Sequence, residues 1–291
     1  MNEKKGRMVG KMVLKKEMRG DSMLFSASKF LDIAVQATDG EIGKVKDMYF
    51  DDKTWAVRYV VVTCGEWADK KDVLLIPSHL QVPNALTPIL ITDSTKQQVF
   101  ESPTPGSDLP VSRQYEIDLY SHYSLAPYWS YPTVGYGFSA YYPDVGETDR
   151  ADRFARKSAQ EMDFDPHLRS LKEVQGYHIK TQDDELGHVV DVLISRESAE
   201  VTHFVVDTVN WWPSKHVLIE VGAIRSFDWE FKTLSTSLDK ETIKGAPVFD
   251  EKNSFDPEYM EKLWEYYHRY NTPWKSGRVR IDSGSLSGHS L

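Results

Sequence analysis

Hydrophobic and polar positions recur along the chain with an offset of 144 residues (191 − 47). The segment Asp39–Asp47, with the sequence DGEIGKVKD, returns as DDELGHVVD at Asp183–Asp191. The same offset holds without a gap over residues 26–103 and 170–247. Chance does not maintain an ungapped register of this length, so the chain contains two copies of one module. We call these copies repeat one and repeat two.

Within each repeat, the spacing of apolar residues predicts short β-strands joined by polar turns. In the segment 55–63, Val57, Tyr59 and Val61 fall on one face of a strand, and Val60 falls on the other. Both faces are apolar, so we expect both to be covered. Several short strands at this spacing are typical of a small β-barrel, in which one face of each strand fills the interior.

A helix after each barrel is the predicted cover for the outer face. Tyr115, Leu119 and Tyr123 recur at intervals of four residues, which places them on one side of a helix. Repeat two carries Tyr259, Leu263 and Tyr267 at the equivalent positions. The predicted fold is therefore mainly β, with two tandem small β-barrels that are each followed by an α-helix.

The predicted organisation of the chain has five parts. They are a flexible basic leader at 1–22, repeat one with its helix at 23–129, a linker at 130–167, repeat two with its helix at 168–275, and a disordered tail at 276–291. The first part of the linker is rich in Tyr, Gly and Pro, which indicates irregular structure.

Composition narrows the classes of function. The chain has 35 Lys and Arg against 44 Asp and Glu, a net charge of −9, which makes nucleic acid an unlikely partner because phosphate binding needs clustered cations. Cys64 is the single cysteine, so an intrachain disulfide is excluded and a reducing, cytoplasmic location is expected. The sequence has no apolar run of the roughly 18 residues of a membrane helix. The basic leader leaves peripheral membrane contact open.

Repeat two resembles the PRC-barrel domain, the family shared by the cytoplasmic part of the photosynthetic reaction-centre H subunit and the ribosome maturation factor RimM. The segments that carry the resemblance are Gly176–Ile179, Glu185–Val189, Val205–Thr208 and Asn210–Pro213, and in repeat one Asp39–Gly43 and Arg58–Val62. The resemblance implies a module that docks on other macromolecules, with no catalytic residues to carry over. Two features of these relatives do not recur in this sequence: the membrane helix that precedes the barrel in the H subunit, and the N-terminal domain of RimM, which repeat one does not resemble.

Aromatic loops are the candidate partner-binding sites. Trp67 lies between two predicted strands of repeat one, and Trp211, Trp212 and Pro213 occupy the equivalent loop of repeat two. An exposed tryptophan often anchors a protein interface. The alternative is that Trp67 and Trp211 close their own barrel ends, because they are equivalent in the two repeats. Trp212 is equivalent to Ala68 in repeat one, so it is not part of the shared pattern and is freer to contact a partner.

Two equivalent carboxylates, Asp47 and Asp191, are predicted to be structural. By alternation, each shares a strand face with a valine, Val45 or Val189, and a buried carboxylate must accept hydrogen bonds, for example from the backbone of a turn or bulge. A catalytic acid is the alternative, but no second polar partner is retained beside both. His188 and His203 could meet across paired strands as a metal pair, yet repeat one has Lys44 and Tyr59 there, so solvated or edge histidines are the favoured interpretation.

The sequence therefore predicts a non-catalytic adaptor or scaffold that binds protein partners through tandem barrels and is capable of self-association. It predicts no catalytic residue, cofactor or metal site, and the chain has no phosphate-binding Gly-rich loop and no G-x-S-x-G or H-E-x-x-H motif. The first alternative, from the family, is a factor associated with RNA and ribosome maturation or an accessory protein of a photosynthetic electron-transfer complex. An enzyme is the third hypothesis.

Overall fold

The computed structural model describes residues 24–65, 70–81, 89–103, 113–128, 167–182, 184–208, 215–228, 230–250 and 257–269. The predicted basic leader, nearly all of the predicted linker and the predicted tail lie outside these residues.

Each repeat contributes six strands to its own sheet, followed by a helix pair, in the same order. Repeat one contains β2 (Ala34–Ala37), β3 (Gly40–Asp51), β4 (Val57–Cys64), β5 (Lys71–Leu75), β6 (Leu80–Gln81), β7 (Ile89–Thr92), α1 (Lys96–Glu101) and α2 (Arg113–His122). Repeat two contains β9 (His178–Lys180), β10 (Glu185–Ser195), β11 (Val201–Asp207), β12 (His216–Glu220), β13 (Ile224–Asp228), β14 (Thr233–Thr236), α4 (Lys240–Gly245) and α5 (Pro257–His268).

The two sheets have the same topology. Their strand orders are β5-β4-β3-β2-β7-β6 and β12-β11-β10-β9-β14-β13, which correspond strand for strand. Strand β2 pairs in parallel with β7, and β9 pairs in parallel with β14, whereas the other neighbours in these orders pair in antiparallel fashion. The predicted mainly β fold, with two barrel-like modules that each have a trailing helix, is confirmed.

The seventh strand of each sheet comes from the other repeat. Strand β1 (Leu24–Ser26), which precedes the first sheet in the chain, pairs with β10 of the second sheet. Strand β8 (Leu168–Ser170), followed by the short helix α3 (Leu171–Val174), pairs with β3 of the first sheet. The two repeats therefore exchange their first strands reciprocally, an arrangement that the sequence does not predict.

One hydrophobic core extends through both repeats. It includes the interiors of the two sheets and the exchanged residues Phe25 and Leu171. At its centre, rings of repeat one and repeat two lie against one another: Phe50, Trp55, Phe204 and Phe227 have neighbouring centroids 5.9–6.2 Å apart. The sheets are therefore parts of one packed body.

The trailing helices cover the outer faces of the sheets, as predicted. Leu119 of α2 and Leu263 of α5 are each 0% exposed. Leu119 packs with Tyr59 and Val61 of β4, and the hydroxyl of Tyr267 in α5 donates to the carbonyl of Leu218, 2.7 Å away. Of the helices in the described ranges, none has both the length and the apolar sequence that crossing a membrane requires.

A close strand contact explains one of the repeated sequence features. A Cβ added to Gly43 would lie 2.0 Å from the carbonyl oxygen of Thr63, and one added to Gly187 would lie 1.8 Å from that of Asp207. No side chain fits at that distance, so the glycine of both EIG and ELG segments lets β3 and β10 approach the ends of β4 and β11.

Candidate partner-binding surface

The predicted partner-binding residues Trp67, Trp211, Trp212 and Pro213 lie outside the described residues, but the strands that carry their loops are described. The loop with Trp67 connects β4 to β5, and its last described strand pair is Cys64 with Lys71. The loop with the other three residues connects β11 to β12. The strand ends from which each loop leaves the sheet form the base of that loop. We call each base, together with the short helix beside it (α1 or α4), the loop end of its barrel.

Hydrogen bonds close the base of the second loop. The amide of Thr208 donates to the carbonyl of Lys215 over 3.1 Å, and the Thr208 hydroxyl donates to the same oxygen over 2.9 Å. In repeat one, the Thr63 hydroxyl donates to the carboxylate of Asp72 across the strands over 2.7 Å. These contacts hold the two strands of each hairpin together where the loop leaves the sheet.

A lysine in each repeat ties the loop base to the neighbouring helix. The ammonium of Lys71 donates to the carbonyls of Phe100 and Ser102 at the end of α1, and the ammonium of Lys215 donates to the carbonyls of Lys244 and Ala246 at the end of α4. The four contacts are equivalent under the offset of 144. A cation there satisfies the last helix carbonyls and interacts favourably with the helix dipole. Burial lowers the pKa of Lys215.

Exposed apolar side chains lie beside both loop bases. Phe100 is 46% exposed, and the Lys71 ammonium lies 4.5 Å from the centroid of its ring. Val248 is 56% exposed and precedes Phe249, whose amide donates to the carbonyl of His216 in β12. The remaining large exposed hydrophobic residues of the described ranges are Ile91, Phe231 and Trp264.

The two loop ends carry different polar side chains. In repeat two, strand pairing places His178, His188, Asp207 and His216 in one row across four strands. In repeat one, Asp72 accepts from Lys46 over 2.6 Å. Burial raises the pKa of Asp72, but its hydrogen bonds to Lys46 and Thr63 outweigh burial and hold that pKa below its usual value. The surfaces therefore present different chemistry on the same frame.

The histidine pair considered from the sequence does not form. His188 lies opposite Asp207, whereas His203 lies opposite Leu193, because the hairpin turn between β10 and β11 lies at 196–200 and sets this register. His203 is buried, and burial lowers its pKa to about 4, so it is neutral at neutral pH. Within the part of the chain that the structure describes, no three His, Cys, Asp or Glu side chains converge to hold a metal ion.

Cys64, at the edge of the first loop base, is buried. Burial raises the pKa of its thiol to about 11. A nucleophilic cysteine requires a thiolate, which a raised pKa disfavours. The position of Cys64 therefore fits a small packed side chain.

The carboxylates Asp47 and Asp191 accept hydrogen bonds from the exchanged strands and from the residues just after them. At a bulge in β3, Asp47 accepts from the hydroxyl of Ser170 at 2.5 Å, the amide of Lys172 at 3.1 Å and the amide of Met48 at 2.7 Å. Burial raises the pKa of Asp47, and these three hydrogen bonds offset that effect only in part.

Asp191 makes the equivalent contacts with β1 and the residues just after it. It accepts from the hydroxyl of Ser26, from the amide and hydroxyl of Ser28 at 3.1 and 2.6 Å, and from the amide of Val192 at 2.7 Å. Sequence reasoning missed this exchange of β1 and β8. The available signal was that the ungapped register already begins at the equivalent serines Ser26 and Ser170, well before the strand pattern becomes clear.

Comparisons with known proteins agree with this geometry. The family model of the PRC-barrel domain matches residues 23–99, which extend from β1 into α1. A protein of Deinococcus radiodurans described as an uncharacterized protein is 30% identical over 101 residues, which cover 31% of this chain and 36% of that protein. The chain thus spans about a third of the length of the curated relative it matches. A PRC-barrel domain suggests a role in protein interaction or an accessory role.

Proposed function

We propose that this chain, whose residues 23–99 are a PRC-barrel domain, is a non-catalytic cytoplasmic adaptor that binds protein partners through the loop ends of its two barrels. The second barrel-like sheet, of the same strand order, supplies a second loop end. Two sites on one packed body would allow the adaptor to hold two partners or two parts of one partner.

The lysine anchors are the observation that carries this proposal. Lys71 and Lys215 join each loop base to the end of a short helix with equivalent contacts, which ties the frame of both loops to the body of the protein. A loop held on a rigid base loses less conformational entropy when it binds. Phe100 and Val248 add exposed apolar surface beside these bases, and burial of apolar surface is the main favourable contribution to most protein association.

The groups with reactive potential support binding over catalysis. Cys64 is buried, with a raised pKa. His203 is buried rather than open to a substrate, and its Nδ1 lies 3.0 Å from the hydroxyl of Thr202. Neither group has the accessible, activated form that nucleophilic or general-base catalysis requires.

Affinity capture from the native cell with matched variants tests the proposal. Wild type is compared with Trp212→Ala and Phe100→Ser, which alter the two loop ends, and with Phe231→Ser, which alters a side chain that is 69% exposed in the turn between β13 and β14. We expect the same specific proteins with wild type and the Phe231 variant, and a loss of some of them with each loop-end variant at unchanged thermal stability.

Nuclease treatment separates this function from the RNA-associated alternative. If the captured proteins disappear after RNase digestion, the partner is an RNA–protein particle and direct protein binding is wrong. If the loop-end variants retain every partner that wild type retains, the loop ends are not the binding surface.

A further inference from the structure

The two repeats meet through equivalent backbone contacts. The amide of Val57 donates to the carbonyl of Ala199, and the amide of Val201 donates to the carbonyl of Trp55, both over 2.8 Å. Between these bonds, Ala56 and Glu200, which are themselves equivalent, form a bridge. With the exchanged strands, this is the geometry of a two-fold symmetric dimer within one chain, in which each contact between positions i and j has a counterpart between j and i.

The charged contacts break this symmetry in a complementary way. The carboxylate of Asp52 accepts from Nε of Arg169 at 2.6 Å and lies 2.9 Å from Nδ1 of His167, and the Asp52 and Arg169 side chains are 11% and 13% exposed. At the equivalent places stand Arg196 and Phe25, and the Arg196 guanidinium lies 5.6 Å from the centroid of the Phe25 ring. One junction is thus a largely buried ion pair, and its counterpart is a cation–π contact.

The aromatic contacts break the symmetry as well. Trp55 of repeat one lies with its ring centroid 5.9 Å from that of Phe204 and 6.0 Å from that of Phe227 in repeat two. The residue equivalent to Trp55 is Ala199, and the residue equivalent to Phe204 is Val60. The large side chain of Trp55 in repeat one therefore meets large side chains of repeat two, whereas the equivalent positions Ala199 and Val60 carry small side chains.

We propose that this interface is a heterotypic recognition surface, through which each repeat selects a repeat of the opposite kind over a copy of itself. Pairing repeat two with itself would place Arg196 beside Arg169 at both junctions, and pairing repeat one with itself would place Asp52 beside Phe25. The first combination sets like charges together and the second leaves a carboxylate without its cation, so both are penalised.

The proposal also defines how a second copy of this chain would fit. Two chains that associate through this surface pair repeat one of one chain with repeat two of the other, by exchange of the same strands. The expected partner is a PRC-type repeat that carries a basic residue in the strand equivalent to β8, as at Arg169, or after the strand equivalent to β10, as at Arg196.

A charge-reversal cycle in the intact chain is the first test. Asp52→Arg and Arg169→Asp should each lower the midpoint of thermal unfolding, because each leaves like charges in a buried junction. The double variant should recover most of that loss, whereas Asp52→Arg combined with Lys180→Asp, a substitution at an exposed residue in β9, should not. If the double variant is as unstable as the sum of the single variants, the ion pair does not specify the interface.

Pairing of the severed repeats is the second test. A protease site is introduced into the segment 130–166 of the full chain, and the cut protein is unfolded, refolded and examined by native mass spectrometry. We expect the species with one half of each kind to exceed both homotypic species by at least roughly tenfold, where unselective pairing gives only about a twofold excess.

The Asp52→Arg variant sharpens the second test. Self-pairing of its repeat one would set the introduced guanidinium beside Phe25, the same contact that Arg196 makes in the wild type. The homotypic species of repeat one should therefore increase several-fold, and the heterotypic species should decrease. A statistical mixture from the wild-type halves, or an unchanged mixture from the variant, would overturn the proposal, and halves that fail to refold leave the decision to the cycle in the intact chain.

Discussion

Replacement of Asp47 by alanine tests how the exchanged strand is held. The carboxylate of Asp47 is 8% exposed and accepts hydrogen bonds from Ser170, Lys172 and Met48. Two of these donors, Ser170 and Lys172, lie in and just after β8 of repeat two. Asp47→Ala therefore removes the carboxylate that joins β8 to the first sheet, and it leaves the three donors without this acceptor.

The magnitude follows from burial. A buried donor that loses its partner costs about 1–3 kcal/mol. The loss is offset in part, because burial raises the pKa of Asp47 and its removal therefore relieves an unfavourable charge. We expect Asp47→Ala to lower the free energy of unfolding by about 3 kcal/mol. The equivalent Asp191 is only half-buried, so water can replace it, and Asp191→Ala should cost about 1–2 kcal/mol.

Denaturant unfolding of Asp47→Ala, Asp191→Ala and Asp47→Asn, at pH 7 and equal protein concentration, measures these differences. Asparagine keeps one acceptor oxygen for the amides of Met48 and Lys172, so Asp47→Asn should lose less than half as much stability as Asp47→Ala. Unchanged stability of Asp47→Ala would refute the reasoning. So would a larger loss from Asp191→Ala than from Asp47→Ala, because the order follows from burial alone.

Three further outcomes are expected. Thermal unfolding should show a larger loss for Gly187→Ala, about 3–4 kcal/mol, than for Gly176→Ala, about 1–2 kcal/mol: a new Cβ meets the Asp207 carbonyl at 1.8 Å in the first case, and no described atom within 4 Å in the second. Equal losses would contradict the close contact. Denaturant unfolding of Leu263→Ala should show a loss of about 2–5 kcal/mol, against less than about 0.5 for the exposed Glu265→Ala. Between pH 7.5 and 5, wild type should lose about 2 kcal/mol more than His203→Gln, because the imidazole takes up a proton below 6.5 when unfolded but only near 4 when folded. Parallel pH dependence would show that His203 is accessible.

Register is where sequence reasoning stops short in the candidate site. The pattern of β10 and β11 identifies two strands correctly, but the position of the hairpin turn at 196–200 sets which side chains are opposite. Bulges between Val189 and Asp191 and between Leu193 and Ile194 then shift the register by one residue. A bulge adds a residue to one strand without a clear sequence signal. His188 therefore faces Asp207, and not His203. The aromatic loop residues stay a prediction, whereas the lysine anchors of the loop bases are visible only in the tertiary contacts.

The sequence by itself determined the two repeats, their strands and the helices that cover them. Internal duplication shows directly in an ungapped register, and the alternation of residues such as Val57, Tyr59 and Val61 reflects burial of both faces of a strand. The helical spacing of Leu119 and Leu263 with their tyrosines predicted the covers in the same way, since periodicity is a local property of the chain.

Only the tertiary structure decided which sheet each first strand joins. Strands β1 and β8 have three residues each, and their backbone groups would be satisfied equally by the long strand of either repeat. The choice depends on contacts between residues far apart in the chain, such as Arg169 with Asp52 and Trp55 with Phe204. Local patterns carry no information on such contacts, because both partners look like ordinary polar or apolar positions until the two repeats are packed together.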